Sequence, residues 1–238
     1  MSHYYGYGGY GMYFDPTMIL AFIGLLLTMF ASARVNSTFA KYNRVRSVSG
    51  MTGAQAAMQV LQAAGIYDVR IEHVSGNLTD HYDPRNKVLR LSDSTYSSNS
   101  VAAVCVAAHE CGHAVQDQQS YGPLVLRSSL VPIANFGSQL SWPIFLFGLI
   151  LSIKPLVTAG IILFCLAVVF QLVTLPVEFN ASSRALGILQ DTGVLQPQEM
   201  KGAKSVLWAA AMTYVAAVAS SLLQLLRLIL IARRNDRD

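Results

Sequence analysis

Long uncharged stretches dominate the pattern of apolar and polar positions in this chain. Residues 16–33 run for 18 positions without a charge, just enough to cross about 30 Å of hydrocarbon at roughly 1.5 Å per residue. A second stretch, Ser128–Ile153, lies between Arg127 and Lys154 and is most apolar from Trp142 onward. A third, Pro155–Val177, ends directly at Glu178, and a fourth, Ser205–Leu226, meets Arg227. These predict membrane spans at 16–34, 136–153, 155–177 and 205–232. The link Ser152-Ile153-Lys154-Pro155 is so short that the second and third must form an antiparallel hairpin. On the fourth, Thr213, Ser220, Gln224 and Arg227 fall near one face, which predicts a side turned to the other helices. Snorkelling to the interface is the commoner fate of such an arginine and the alternative for Arg227.

Between the first two spans the pattern changes to that of a folded domain. Residues 52–61 read as a short amphipathic helix ended by Gly65. Residues 69–74 and 87–92 alternate as strands, with a turn-rich stretch at 77–86 between them. A sheet there could brace the following helix or offer its edge to an extended peptide. Ser98-Asn99-Ser100 carries N-cap chemistry for a helix running to about Gln118. Its leading apolar run, Val101–Ala108, is too short to span a bilayer, so this helix belongs beside the membrane.

The expected fold is mainly α, a multi-pass membrane helical bundle with a small α+β domain. Its parts are a Gly/Tyr tail at 1–15, the domain at 35–127, a connecting segment at 178–204 and a basic tail at 233–238. Composition agrees, since the chain is 53% hydrophobic and only 13% charged, where soluble domains have about 25%. Ala31-Ser32-Ala33 resembles a signal cleavage site, but no positive segment precedes it, so the first span is expected to stay. Cys105, Cys111 and Cys165 define no disulfide framework. The net charge of +4 is not gathered into a stripe, which argues against nucleic acid and for membrane orientation.

The candidate chemistry lies at His109-Glu110-Cys111-Gly112-His113. Two histidines four apart on a helix share a face and can address one metal ion. Glu110 stands one step round, near enough to deprotonate a water there without being a ligand. With five His and four Glu in 238 residues, the motif arises by chance in roughly two chains per thousand. A catalytic zinc needs a third protein ligand. Cys111 points away from the histidine face, which leaves Glu72, Glu178 and Glu199 among the glutamates. Glu178 stands out because it ends a span. His81 and Tyr82 are loop candidates for stabilising an oxyanion.

The His-Glu-x-x-His helix, Glu178-x-x-Ala181 and the surrounding spans resemble the membrane-bound gluzincin metallopeptidases, specifically the YugP-type neutral zinc membrane peptidases and more distantly the HtpX group. Asp80–Pro84, Ala108–His113 and Leu175–Ala185 carry the likeness over most of the chain. The resemblance implies that the α+β domain is zincin-like, that His109, His113 and Glu178 bind Zn2+ and that Glu110 is the catalytic base. Where the HtpX group has an Asp four residues beyond its ligand Glu, this chain has Ser182. A carboxylate orienting a ligand histidine is therefore missing or comes from elsewhere, with Asp117 and Asp191 as candidates.

Four spans put 35–127 and 178–204 on one side of the membrane. That side carries eleven Lys and Arg and the other four, which predicts a cytoplasmic site in a bacterial plasma membrane, although the basic C-terminal tail disagrees. The expected activity is zinc-dependent cleavage of peptide or protein substrates at the lipid bilayer. Cobalt or manganese would also fit a His2Glu set. One rival, an intramembrane-cleaving protease, typically needs an Asp on a span, and none has one. The other, a zinc-stabilised scaffold, has no use for Glu110.

Overall fold

The computed structural model describes residues 15–235; the Gly/Tyr tail up to residue 14 and residues 236–238 of the basic tail lie outside them. The elements follow in the order α1 (Met18–Asn43), α2 (Gly53–Ala63), β1 (Arg70–Val74), β2 (His81–Asp83), β3 (Val88–Ser92), α3 (Val101–Gln118), α4 (Gly122–Ile150), α5 (Lys154–Asp191) and α6 (Met200–Asn235). The chain is mainly helical, with one small sheet.

Four helices, α1, α4, α5 and α6, are long and apolar enough to cross a membrane, and each covers most or all of one of the uncharged runs. They overrun those runs. α4 already starts at Gly122, with Pro123 in its first turn, and α5 continues through Glu178 to Asp191. Absence of charge marks what hydrocarbon tolerates, whereas backbone hydrogen bonding need not stop at its edge. α5 packs on both α4 and α6, and α6 packs on α1. The backbones approach closely at small residues. A Cβ added at Gly160 would lie 2.8 Å from the Phe145 nitrogen, and one at Gly24 would lie 2.6 Å from Ser220 Oγ. Membrane helices pack in this way because lipid supplies no hydrophobic drive between them. Phe22, Met29 and Phe30 on α1 are mostly exposed, as a lipid-facing surface would be.

The polar face of α6 turns toward α1. Ser220 meets Gly24, and Arg227 reaches Met18 Sδ at 2.9 Å and the Asp15 carboxylate at 3.9 Å. Arg227 therefore pairs with the start of α1 rather than extending outward alone.

The two expected strands form, but they pair in parallel, and the turn-rich stretch between them holds a third. The sheet order is β1-β3-β2, with β2 antiparallel to β3. Its three residues were masked by turn chemistry on either side. The Asp83 carboxylate accepts from the amides of Arg85 and Asn86, closing the β2–β3 turn. Asp80 accepts from Ser92 N and Ser92 Oγ, both at 2.8 Å, tying the entry of β2 to the end of β3.

Central β3 is fully buried at Val88, Leu89 and Leu91. It shares one core with Ala57 and Val60 of α2, Val104 and Ala108 of α3, Leu189 of α5 and Leu207 of α6. Sheet, motif helix and the ends of two long helices are thus fixed to one another. A capping box starts α2, with Thr52 Oγ1 accepting from Gln55 N and Gln55 Oε1 from Thr52 N. This satisfies two amides that the first turn leaves free.

Candidate active site

α3 begins where Ser100 Oγ accepts from Ala103 N at 3.1 Å, a side-chain N-cap. Its buried small residues let sheet, α2 and α5 close around it. One face carries His109 and His113. The opposite face carries Cys111, whose Sγ sits 3.6 Å from the Ala57 carbonyl oxygen. Burial pushes that thiol up, so it is held neutral and away from the histidines.

α5 brings Glu178 to the histidine face, and a glycine makes this possible. A Cβ on Gly112 would lie 2.5 Å from the Ala181 carbonyl oxygen, so α3 and α5 meet backbone to backbone between His109/His113 and Glu178. Gly112→Ala is expected to force the helices apart, costing about 1–3 kcal/mol of stability and lowering bound zinc. A lower melting temperature in detergent together with a reduced zinc-to-protein ratio would show it; unchanged zinc would mean the contact does not set the cluster.

The cluster is compact. Glu178 Oε2 lies 3.3 Å from His109 Nε2 and 3.6 Å from His113 Nε2, and Glu178 is only 2% exposed. Its other oxygen faces Arg127 Nη1 at 3.6 Å. One ligand atom from each of the three residues falls within 4.8 Å of the others. Both outer ring nitrogens are engaged. His109 Nδ1 is 3.1 Å from Ser182 Oγ, and His113 Nδ1 is 3.0 Å from Gln116 Oε1. Gln116 Nε2 donates to the Val177 carbonyl and Asn180 Oδ1 at 2.8 and 3.0 Å, which fixes the amide. Its oxygen must then face His113, so Nδ1 carries a proton and Nε2 is the ring nitrogen turned to the cluster.

Burial drives the His113 imidazole down, but the carboxylates of Glu178 and Glu110 outweigh it and hold its pKa above the ordinary value. Burial raises Glu110, aided by Glu178 and Asp80 and opposed by the two histidines. Glu110 stands beside the cluster, with Oε2 accepting from Tyr82 N at 3.1 Å. Tyr82 therefore meets the site through its amide, and its phenol donates to Asp117 at 2.8 Å. Asp117 holds Tyr82 and Lys87 rather than orienting a histidine, and the polar atom on His109 belongs to Ser182 itself, in line with a missing carboxylate there. His81 lines the cavity over the cluster, with its Nδ1 2.9 Å from the Thr79 carbonyl oxygen.

That cavity, about 300 Å³, is also lined by Asp80, Arg127 and Tyr214. A second lobe of about 220 Å³ shares Asp80, His109, Glu110 and Tyr214 and is walled by Val35, Phe39, Val206 and Leu207. Sequence reading missed Arg127, Tyr214 and Gln116; the first two reach the site only through helix packing, and none stands in a motif. Thr213, one residue from Tyr214, was the nearest signal.

The donor set fits a metal. Ligands at about 2.1 Å on a tetrahedral ion stand about 3.4 Å apart, close to the two separations from Glu178. Two imidazole Nε2 atoms and one buried carboxylate suit zinc.

Fold and site together define a helical chain, with four helices apolar enough for a membrane and a buried His-His-Glu cluster of metal-binding type. Residues 17–233 match the family described as "Putative neutral zinc metallopeptidase", and the chain belongs to that family, which implies Zn2+ as its metal. It is 49% identical over 221 residues to "Putative membrane protease YugP" of Bacillus subtilis (strain 168), covering 93% of this chain and 98% of that protein. No solved structure matches.

Proposed function

We propose that this chain is a multi-pass, membrane-bound zinc endopeptidase acting on membrane or membrane-associated proteins. In this reading residues 35–127 form a zincin-like domain, 178–204 supplies the third ligand, and His109, His113 and Glu178 hold the ion. The observation that carries it is Glu110. Holding the metal does not require this second, half-buried carboxylate, yet it stands beside the cluster and is oriented by the Tyr82 amide.

Zinc in a His2Glu set supplies Lewis acidity toward water and a carbonyl oxygen. Glu110 takes the proton of the attacking water and returns it to the amine nitrogen of the departing chain. The Tyr82 amide occupies one Glu110 oxygen and leaves the other for this transfer. Tyr214 and Arg127, both lining the cavity, are the donors available to charge developing on the carbonyl oxygen. The apolar lobe between α1 and α6 receives an apolar substrate side chain among helices of the membrane set. The excess of Lys and Arg on the domain side supports a cytoplasmic site in a bacterial plasma membrane.

The test is zinc-dependent cleavage. Protein purified in detergent is expected to cleave casein, to stop when o-phenanthroline strips the metal, and to recover when zinc is returned. Stoichiometric zinc without cleavage would move the assignment to a zinc-stabilised scaffold.

A further inference from the structure

Next to the cavity, α5 and α6 enclose a groove of about 740 Å³. Its walls include Phe179, Leu186, Leu207, Trp208 and Ala211, and no acidic residue lines it. Lys201 and Lys204 also line the groove, and three residues apart on a helix they share a face. Both are exposed, and among the described residues neither side chain has an ion-pair or hydrogen-bond partner.

The position of the groove along α6 says what fills it. The lysines precede the uncharged run that starts at Ser205, and Trp208 stands one turn further in. Trp208 is 62% exposed and meets the Phe179 ring edge-on at 6.0 Å. Exposed aromatics at the start of an apolar helix mark the level of lipid headgroups. A cationic rim above an apolar trough at that level is complementary to a lipid with an anionic headgroup and apolar chains.

We infer that the α5–α6 groove binds an anionic phospholipid, with its phosphate against Lys201 and Lys204 and an acyl chain along Leu207, Trp208 and Ala211. The inference rests on α5 and α6 spanning the bilayer and is independent of peptidase activity. Ser182 lines the same groove while its hydroxyl contacts His109 Nδ1, so the lipid site and the metal cluster share a wall.

Trp142 and Trp208 are the two tryptophans of the chain, so Trp142→Phe leaves Trp208 as sole reporter. This full-length variant is reconstituted in two sets of vesicles of identical phosphatidylglycerol and phosphatidylcholine content. Bromine is carried on phosphatidylglycerol acyl chains in one set and on phosphatidylcholine acyl chains in the other, at equal mole fraction. The anionic brominated lipid is expected to quench Trp208 with about tenfold preference, given two lysines at the membrane surface. Lys201→Gln with Lys204→Gln is expected to abolish the preference, and the paired Lys→Arg changes to retain it. Equal quenching in the two sets, or a preference surviving the double Gln change, would overturn the inference. Absence of quenching by either lipid would overturn it together with the placement of α6 in the bilayer.

Discussion

Glu110→Gln is expected to keep bound zinc at the wild-type level and to lower casein cleavage about 10²–10⁴-fold, the usual range for a lost general acid–base group. Gln retains the size of the side chain and a carbonyl oxygen that can accept from Tyr82 N, the contact made by Glu110 Oε2 at 3.1 Å. The change therefore leaves the packing and the cluster of His109, His113 and Glu178 intact. It removes basicity alone. Zinc content by elemental analysis and initial cleavage rates on the same preparation make the comparison. Equal rates in the two proteins would remove Glu110 from the chemistry and leave the cluster a structural site. Zinc loss in the variant would instead place Glu110 in the coordination set, against its separation from the three convergent ligand atoms.

Much of this arrangement was legible in the sequence because it is periodic or local. Histidines four apart define a helix face wherever the helix sits, and uncharged runs of bilayer length announce themselves without tertiary information. Ser100, Thr52 and Gly65 mark helix ends through chemistry confined to one turn. Glu178 was legible at one remove, from its place at the end of an apolar run and from the resemblance. What could not be read depends on which faces meet. Gln116 reads as one polar residue on a helix, and only the packing of α3 on α5 puts its amide between His113 Nδ1, the Val177 carbonyl and Asn180. Ser182 was read as a missing carboxylate, yet its hydroxyl takes the place beside His109. A search for carboxylates could not find a hydroxyl. Arg127 and Tyr214 lie in or beside apolar runs on separate helices, where an arginine reads as a span boundary and a tyrosine as an interfacial anchor. β2 escaped because its three residues, His81–Asp83, carry more turn signal than strand signal, and its pairing depends on β3.

Glu178→Ala is expected to strip the site of zinc, and activity with it. Loss of an outer partner that only orients a ligand typically costs about 10–100-fold in metal affinity; loss of a ligand atom should exceed that, leaving protein dialysed at low free zinc essentially metal-free. No described neighbour is placed to substitute. Glu110 does not converge with the ligand atoms of His109, His113 and Glu178, Asp80 is committed to Ser92 and Asp117 to Tyr82 and Lys87. The substitution also leaves Arg127 without the carboxylate 3.6 Å from its Nη1 and both imidazoles without their common acceptor. Some stability is therefore lost with the metal, and a melting curve must accompany the zinc measurement. Glu178→Gln separates the two effects, because it preserves volume and an acceptor oxygen while removing the charge. If zinc falls in both variants while Glu178→Gln still melts as one cooperative unit, the loss lies in coordination and not in unfolding. Full zinc retention in a folded Glu178→Ala protein would mean that the third ligand has been misassigned, and the fit of Glu178 to two histidine nitrogens would then have to be explained as an ion pair. Taken with Glu110→Gln, the outcomes are asymmetric by design of the site: one carboxylate is lost without the metal, the other only with it.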